Sequence, residues 1–324
     1  PSEDGGYWSI NNVRLGVGLP TEFANIFQTE GDWNEPCNWS LGEIPTIDQD
    51  VLLMAPATVS SGTVASANSI ATIYGEGSVT IVEGGQMECN RVFEGTIQKS
   101  IKGYGTGNGD WYLISIPMQI YDGSYDYVNP ENVVNMIPDN DGYYDLYGFD
   151  QSAQKEEWQN FKANDGNKLN PRMGYLYANK NNTLLSFTGI LNASSAYANL
   201  NYDSDAPFRG WNLIGNPMTL NAYLSDNRAF YKMNDTGTAL EAVEANTPIA
   251  PMEGVFVESA SSSDYVMFAQ TAGVTTGGGG WRKSLGIELS NQSNTLDNAI
   301  ISFNNSGTLG KFMLNSNSSK IYFP

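Results

Sequence analysis

The sequence predicts an all-β protein. A short-strand N-terminal part, built as a β-solenoid or sandwich-like stack, precedes a duplicated β-sandwich-like unit. The apolar runs are short and are separated by Gly, Ser, Thr and Asn, as is typical of strands joined by turns. Apolar residues make up 40% of the chain and aromatic residues 12%, which a disordered acidic chain would lack. One pattern, W-x-L-I-x-x-P-M, occurs twice.

The chain of 324 residues is long enough for about two domains, each with its own core. Residues 1–30 contain one alternating apolar run, at positions 7–15, which predicts a lone strand. Because a lone strand is not stable by itself, we expect it to complete a sheet formed upstream of this chain, with a linker after it, or to pair with a neighbouring domain. The start at Pro1 without Met likewise leads us to expect a piece of a longer protein.

Residues 31–100 form a region of short β-prone segments separated by glycine and small polar residues. Single inward-facing Val or Ile positions between Ser, Thr and Asn turns favour a solenoid-like stack with coils of about 10–20 residues. A compact sandwich is the alternative. In the solenoid interpretation, Trp33 and Trp39 cap the N-terminal end of the stack.

Residues 101–275 carry an internal repeat. Residues 111–118 recur as residues 211–218, and the stretch at 171–177 is echoed at 251–257 in the same order. In the first pair, apolar side chains alternate on a strand, and proline ends the strand because it has no N–H to donate. We therefore predict a duplicated β domain whose copies pack around a pseudo-twofold axis and share one core. The copies are expected at residues 111–190 and 211–272.

Two further elements complete the predicted organisation. Asn129 as N-cap and Pro130 at the first helical position predict a short helix within the first copy. Residues 276–324 begin with a glycine run that is typical of a flexible joint, and they continue with alternating apolar residues. We expect these C-terminal strands to pack back on the preceding domain.

Charge and composition exclude several classes of function. The chain has 16 Lys and Arg against 35 Asp and Glu, a net charge of −19, and no histidine. Nucleic acids and anionic membrane surfaces require basic patches, so neither is an expected partner. No apolar run approaches the ~20 residues that span a bilayer, so membrane insertion is not expected. Without histidine there is no Ser-His-Asp triad and no common zinc site, and we expect a protein that is not an enzyme.

The two cysteines, Cys37 and Cys89, do not form a Cys-x-x-Cys motif. This excludes thioredoxin-like chemistry and the usual zinc motifs. Two interpretations stay open: a disulfide formed in an oxidising compartment, or two separate buried thiols.

The negative charge makes Ca²⁺ the one cofactor to consider. Asp139, Asp141 and Asp145 resemble the start of an oxygen-rich calcium loop. A second stretch with similar spacing is found at Asn201, Asp203 and Asp205. Neither stretch has the glycine at the sixth position that an EF-hand loop needs. These residues are candidate calcium ligands, and solvated acidic turns are the alternative interpretation.

Carbohydrate binding requires only aromatic platforms and amide side chains, and the chain is rich in both. The candidate stacking residues are Trp33, Trp39 and Trp158, followed by Trp281, Tyr143, Tyr144 and Tyr147. Catalysis on a sugar is not expected, since the adjacent Glu156 and Glu157 would point to opposite faces of a strand.

Several stretches resemble a group of secreted, cell-surface proteins of Bacteroidetes. Residues 32–45, followed by the glycine-rich stretch at 75–85, look like a short β repeat of these proteins. The paired segments at 111–118 and 210–217 look like their "W-x-L-I-x-x-P" and "G-W-N-L-I-G-N-P" segments. The stretch at 310–324 is similar to the one just before a C-terminal sorting domain of type IX secretion.

The resemblance implies an extracellular, adhesin-like, non-catalytic region at the cell surface, and it supplies no catalytic residue. Residues 7–13 are similar to the closing strand of a jelly-roll adhesin domain, which implies that residues 1–30 close an upstream domain of that kind. We expect a structural or adhesive module for surface presentation or contact. Its partner would be a glycan, a surface protein or another copy of itself. The alternative is a carbohydrate-binding accessory region of a larger secreted hydrolase.

Overall fold

The computed structural model describes most of the chain between Ala24 and Ser302. The described residues are 24–73, 76–107, 110–118, 128–271, 284–290 and 295–302. Several expectations lie outside them: the strand at 7–15, the glycine run at 277–280, Trp281 and the terminal stretch at 310–324. Within the described residues the fold is all-β, as predicted, with strands and two short 3-10 helices. No helix of the described residues is long and apolar enough to cross a membrane.

The chain divides into two compact units, one ending at Ile97 and one beginning at Gln98. The finer domain limits given above stay predictions. The strands of the first unit are β1 (Ala24–Phe27), β2 (Gly31–Asp32), β3 (Asp50–Leu53), β4 (Pro56–Val59), β5 (Val64–Ala67), β6 (Ser69–Thr72), β7 (Ser78–Ile81), β8 (Gln86–Cys89) and the start of β9 (Phe93–Ile101).

All strand pairs of the first unit are parallel within the described residues, and they form three sheets. The orders are β1-β3-β6, β2-β4-β7-β9 and β5-β8, so each turn of the chain lies against the turn before it. Alternate residues point inward, as Val59, Ile81 and Met87 do, and all three are buried. The turns stack closely at Gly77, where an added Cβ would lie 1.9 Å from the carbonyl oxygen of Leu53. Only glycine allows that approach.

The second unit contains two antiparallel sheets of four strands each. The first consists of β10 (Tyr112–Ile114), β11 (Tyr143–Phe149), β12 (Trp158–Lys162) and β13 (Tyr175–Tyr177). After β14 (Thr183–Leu191) and β15 (Ala196–Asn199), the second consists of β16 (Trp211–Gly215), β18 (Phe230–Met233), β19 (Leu240–Val243) and β20 (Gly254–Glu258), with β17 (Tyr223–Leu224) between β16 and β18. The sheet orders, β10-β13-β11-β12 and β16-β20-β18-β19, place the strands of the two sheets in the same sequence.

Three further strands complete the described part of the second unit. They are β21 (Tyr265–Ala269), β22 (Ser284–Ser290) and β23 (Thr295–Ser302). Strand β21 lies between β15 and β17 in a small antiparallel sheet, and β22 and β23 form a hairpin. The predicted helix after Asn129 is a single 3-10 turn, Pro130–Asn132, and Asn129 Oδ1 caps it by accepting the N–H of Glu131.

The two four-stranded sheets meet where β10 and β16 end. Ile114 bridges to Glu253 ahead of β20, and Ile214 bridges to Met173 ahead of β13. The backbone hydrogen bonds next to these bridges correspond to each other: the N–H of Ser115 donates to the carbonyl oxygen of Met252, and the N–H of Gly215 donates to the carbonyl oxygen of Arg172. We call this meeting point the strand crossing.

One hydrophobic core extends over both four-stranded sheets. Its buried centre consists of Leu113, Trp211, Leu213, Tyr231 and Phe256, contributed by strands of both sheets. Partly buried side chains from β11, β12 and β13 pack against it: Phe149, Trp158 and Leu176. Burial of these large rings is the main stabilising contribution expected for the second unit.

Candidate functional site

A cleft of about 700 Å³ opens on the second unit. Its lining comes from the turn after β11, the loop before β13, β15 with the loop after it, and β16. These segments contribute residues 150–152, 170, 172–173, 198–203 and 211–214. Because amide side chains dominate the polar lining, we call this feature the amide cleft.

Gln151 ties the floor of the amide cleft together. Its side chain is buried, and Nε2 donates hydrogen bonds to the carbonyl oxygens of Asn201 and Trp211, at 2.9 and 3.2 Å. Its Oε1 accepts the backbone N–H groups of Asp203 and Gly210, each at 3.1 Å. One side chain thus fastens the loop between β15 and β16 to the turn after β11. All of its usual donors and acceptors are in use.

Asn212 fastens the same loop from β16. Its Oδ1 accepts the N–H of Asn201 at 2.8 Å, and its Nδ2 donates to the carbonyl oxygens of Asn201 and Gly210 at 2.9 and 2.8 Å. Two buried amides with satisfied hydrogen bonds make the floor rigid, because breaking any of these bonds would leave a buried polar group unpaired.

Two carboxylates lie at the rim beside the turn after β11. Asp150 Oδ1 accepts the N–H of Ser152 at 2.9 Å, and Asp203 Oδ2 accepts the hydroxyl of Ser152 at 3.0 Å. Asp203 Oδ1 also accepts the N–H of Asp205. These oxygens hold turns in place, and they give this part of the cleft a negative charge.

A pair of exposed tyrosines stands beside the cleft on the sheet of β15 and β21. Tyr197 is 52% exposed and Tyr265 57% exposed, with ring centroids 6.3 Å apart and planes at 74°. The guanidinium carbon of Arg172 lies 5.4 Å from the centre of the Tyr197 ring, a cation–π distance. Asn199 pairs with Tyr265 across the strands and also lines the cleft. Arg172 and Asn199 therefore connect the cleft with what we call the tyrosine pair.

Arg172 is a cation without an ionic partner among the described residues. The contrast is Arg228 in the same unit, which pairs with Asp226 and Asp264. Arg172 is half-buried, and it lines the cleft. A guanidinium has five N–H donors, which suit oxygen acceptors.

The structure places Trp33 and Trp39 in the interior of the first unit. They are 0% and 2% exposed, and their rings pack edge to face with centroids 4.8 Å apart. Trp39 Nε1 donates to the carbonyl oxygen of Trp33 at 2.8 Å, and Phe27 packs on Trp39 at 4.9 Å. Neither tryptophan offers a face for stacking, so both have to be removed from the stacking residues expected from the sequence.

Trp158 is half-buried on β12 of the second unit. Its ring packs edge to face against Phe149 at 5.5 Å and Phe256 at 6.0 Å. These contacts make it part of the rim of the shared core. It does not line the amide cleft.

The three aspartates considered for calcium do not converge. Asp139 Oδ1 accepts the N–H groups of Asp141 and Tyr143, at 2.9 and 2.8 Å, and closes a turn. Asp145 lies on β11, where its Oδ2 accepts the hydroxyl of Tyr104 at 2.8 Å. This hydrogen bond, together with burial and the nearby charge, raises the pKa of Tyr104. Among the residues that the structure describes, no three Asp, Glu or Cys side chains group in a way that would hold a metal ion.

The cysteines are both free thiols in the structure. Cys89 is buried, and burial is the main cause of its raised pKa. Cys37 is exposed, which corrects the interpretation of two buried thiols, and its hydrogen bond to Glu35 is the main cause of its raised pKa.

Sequence reasoning missed the tyrosine pair and Arg172, although part of the signal was present. On β21, Tyr265 and Met267 are exposed while Val266 and Phe268 are buried, which is the alternation of a strand with one face open to solvent. That alternation can be read from the sequence. The position of Arg172 beside β15 depends on the fold and has no local signal.

Comparisons with models of known protein families, with curated proteins and with solved structures find no match to this chain. The resemblance to surface proteins of Bacteroidetes therefore stays an expectation, and the function has to be argued from the amide cleft and the tyrosine pair.

Proposed function

We propose that this chain is a non-catalytic, extracellular module of the cell surface that serves presentation or contact. The observation that carries the proposal is the construction of the amide cleft. Gln151 and Asn212 use their buried amides to fix its floor, while the half-buried Arg172 and the exposed Asn199 also line it. A polar surface that is held rigid before binding loses little entropy when a partner arrives. Residues arranged in this way suit recognition.

The architecture supports the same proposal. We interpret the parallel stack in residues 31–97 as a short β-solenoid, and the two sheets with equal strand order as copies produced by duplication. The equivalence extends beyond the sequence pattern, since Val128 bridges to Leu169 in one copy and Ala222 bridges to Ile249 in the other. Stacked and duplicated β units are suited to structural and adhesive roles, because they build extended surfaces from repeated elements.

The expected partners are a glycan, a surface protein or a second copy of this chain. The placement outside the cell follows from the resemblance to secreted proteins, and the net charge of −19 accords with the absence of nucleic acid from the proposed partners.

A second candidate function is a carbohydrate-binding accessory region of a larger secreted hydrolase. The observation that favours it is the tyrosine pair, since exposed aromatic rings beside a polar cleft are costly to solubility and suit the apolar faces of sugar rings. The contact module and the accessory region differ in the partner that the cleft binds. Neither function includes catalysis by this chain.

Microspheres coated with the chain test the proposal. We expect them to adhere to immobilised polysaccharides, to immobilised surface protein or to one another, while microspheres coated with the heat-unfolded chain do not. Adhesion without release of any product supports a contact module. Release of product by the purified chain, abolished when Asp150 or Asp203 is changed to Asn, would overturn it. Equal behaviour of folded and unfolded coatings would overturn it as well.

A further inference from the structure

The geometry points to a binding site for a neutral glycan at the mouth of the amide cleft, with Tyr265 as the stacking ring and Arg172 and Asn199 as hydrogen-bonding groups. This inference rests on the proposed contact function and assigns it a ligand class and a site. It differs from the tryptophan sites expected from the sequence, because the residues that carry it are brought together by β15, β21 and the loop before β13.

The aromatic part of the site is Tyr265. Its ring is more than half exposed, and Tyr197 supports it from the side with its plane turned by 74°. Arg172 packs against Tyr197, which keeps that ring in place. Sugar rings have faces of C–H groups that pack on aromatic rings. A tyrosine ring that a neighbouring ring already holds in place loses little conformational freedom when a ligand binds.

The polar part of the site comes from the neighbouring strand, β15, and from the loop before β13. Asn199 is exposed and stands opposite Tyr265, and Arg172 presents its guanidinium from the loop before β13. Asn170 Oδ1 holds that loop by accepting the N–H of Arg172 at 3.0 Å. Sugar hydroxyls both donate and accept hydrogen bonds, so an amide beside a guanidinium matches them.

Charge selects a neutral ligand over an anionic one. Arg172 is a cation of the cleft lining, whereas Asp150 and Asp203 are carboxylates of the same lining, and the chain as a whole carries −19. An acidic polymer that reached Arg172 would also meet these carboxylates and the field of the whole chain. A neutral polysaccharide is not repelled by these carboxylates or by the net charge of the chain.

The first copy provides an internal comparison. Leu185 and Phe187 correspond to Val266 and Phe268 in the repeat, so Leu184 stands where the second copy has Tyr265. Leu184 is also exposed, at 40%, but it cannot stack with a sugar as a tyrosine ring does. The site is therefore assigned to the second copy alone, and Leu184 offers a matched control.

Affinity electrophoresis of the full chain in gels containing a soluble neutral polysaccharide tests the inference. The probes are β-glucan, xylan, mannan and starch, with alginate and pectate as the acidic counterparts. We expect retardation by at least one neutral probe, weakened at least about tenfold by Tyr265→Ala and by Arg172→Ala. Tyr265→Phe retains the binding, and Leu184→Ala leaves it unchanged. Urea unfolding of each variant shows that an exposed substitution has left the fold intact.

The possible results separate this site from the broader proposal. Neutral binding that survives both Tyr265→Ala and Arg172→Ala would refute the site and leave the contact function standing. Retardation only by alginate or pectate would refute the neutral class. No retardation by any polysaccharide, with adhesion retained in the microsphere assay, would refute the glycan and favour a protein partner. Failure of both assays would refute the contact function itself.

Discussion

Substitution of Gly215 by alanine tests the strand crossing of the second unit. A Cβ at this position would lie 2.2 Å from Cβ of Ser115 and 2.6 Å from the carbonyl oxygen of Met173. Overpacking of a buried site costs ~1–3 kcal/mol, and here one contact is a backbone atom that cannot rotate away. We therefore expect Gly215→Ala to lower the free energy of unfolding by about 3 kcal/mol.

The assay is urea unfolding followed by circular dichroism and tryptophan fluorescence. A loss of this size corresponds to a midpoint lower by about 1 M urea. The control is Gly148→Ala on β11, where the added Cβ would meet only Phe161 at 3.6 Å, an ordinary contact. A Gly215→Ala midpoint equal to that of the wild type would refute the close approach of β10 and β16.

Three other predictions concern an ion pair, a thiol and an indole. Burial alone would raise the pKa of Asp264, but hydrogen bonds and charge from Arg228 outweigh it and leave that pKa below its usual range. Because the pKa of Asp264 is lower in the folded state, its ion pair with Arg228 stabilises the fold fully above about pH 4, and this stabilisation is lost as the pH falls further. Asp264→Asn should therefore lower the urea midpoint at pH 7 and make that midpoint less dependent on acid pH. A thiol reagent should label the native chain at Cys37 only, with the second thiol appearing on unfolding, and two equally fast thiols would contradict the burial described. Trp39→Phe should destabilise the first unit by ~1–2 kcal/mol more than Trp33→Phe, because it removes a buried hydrogen bond. The indole N–H of Trp33, in contrast, meets no acceptor among the described residues. Equal urea midpoints for the two variants would argue against the hydrogen bond of Trp39.

The class of fold could be predicted from the sequence because it depends on local patterns. Short apolar runs and frequent turn residues indicate strands whatever their partners are, and the described residues are all-β. The direction of pairing has no such local signature. Strands β4 and β7 pair in parallel, whereas β16 and β20 pair antiparallel, yet each is a short segment rich in apolar residues.

The site was harder to predict, for reasons that can be stated for particular residues. Trp33 is aromatic and flanked by polar residues, so its sequence suits a surface platform equally well, and only packing against Trp39 shows that it is buried. Gln151 and Trp211 are joined by a hydrogen bond across 60 residues, which no local pattern encodes. A cleft formed by such bonds becomes visible only with the tertiary structure.

In the second unit, glycine is found where the two four-stranded sheets meet, whereas exposed positions outside these sheets vary. At the strand crossing both have glycine, Gly174 and Gly254, because each faces a backbone atom of the other sheet within 3.3 Å. That constraint is absent at the exposed faces of β14 and β21, which belong to other sheets, and Leu184 and Tyr265 occupy corresponding positions of the sequence pattern there. Folding requires neither residue there, and an exposed tyrosine beside Tyr197 adds little to the core. The exposed ring of Tyr265, supported by Tyr197 and close to an arginine of the cleft without an ionic partner among the described residues, is therefore the feature on which the proposed glycan site rests.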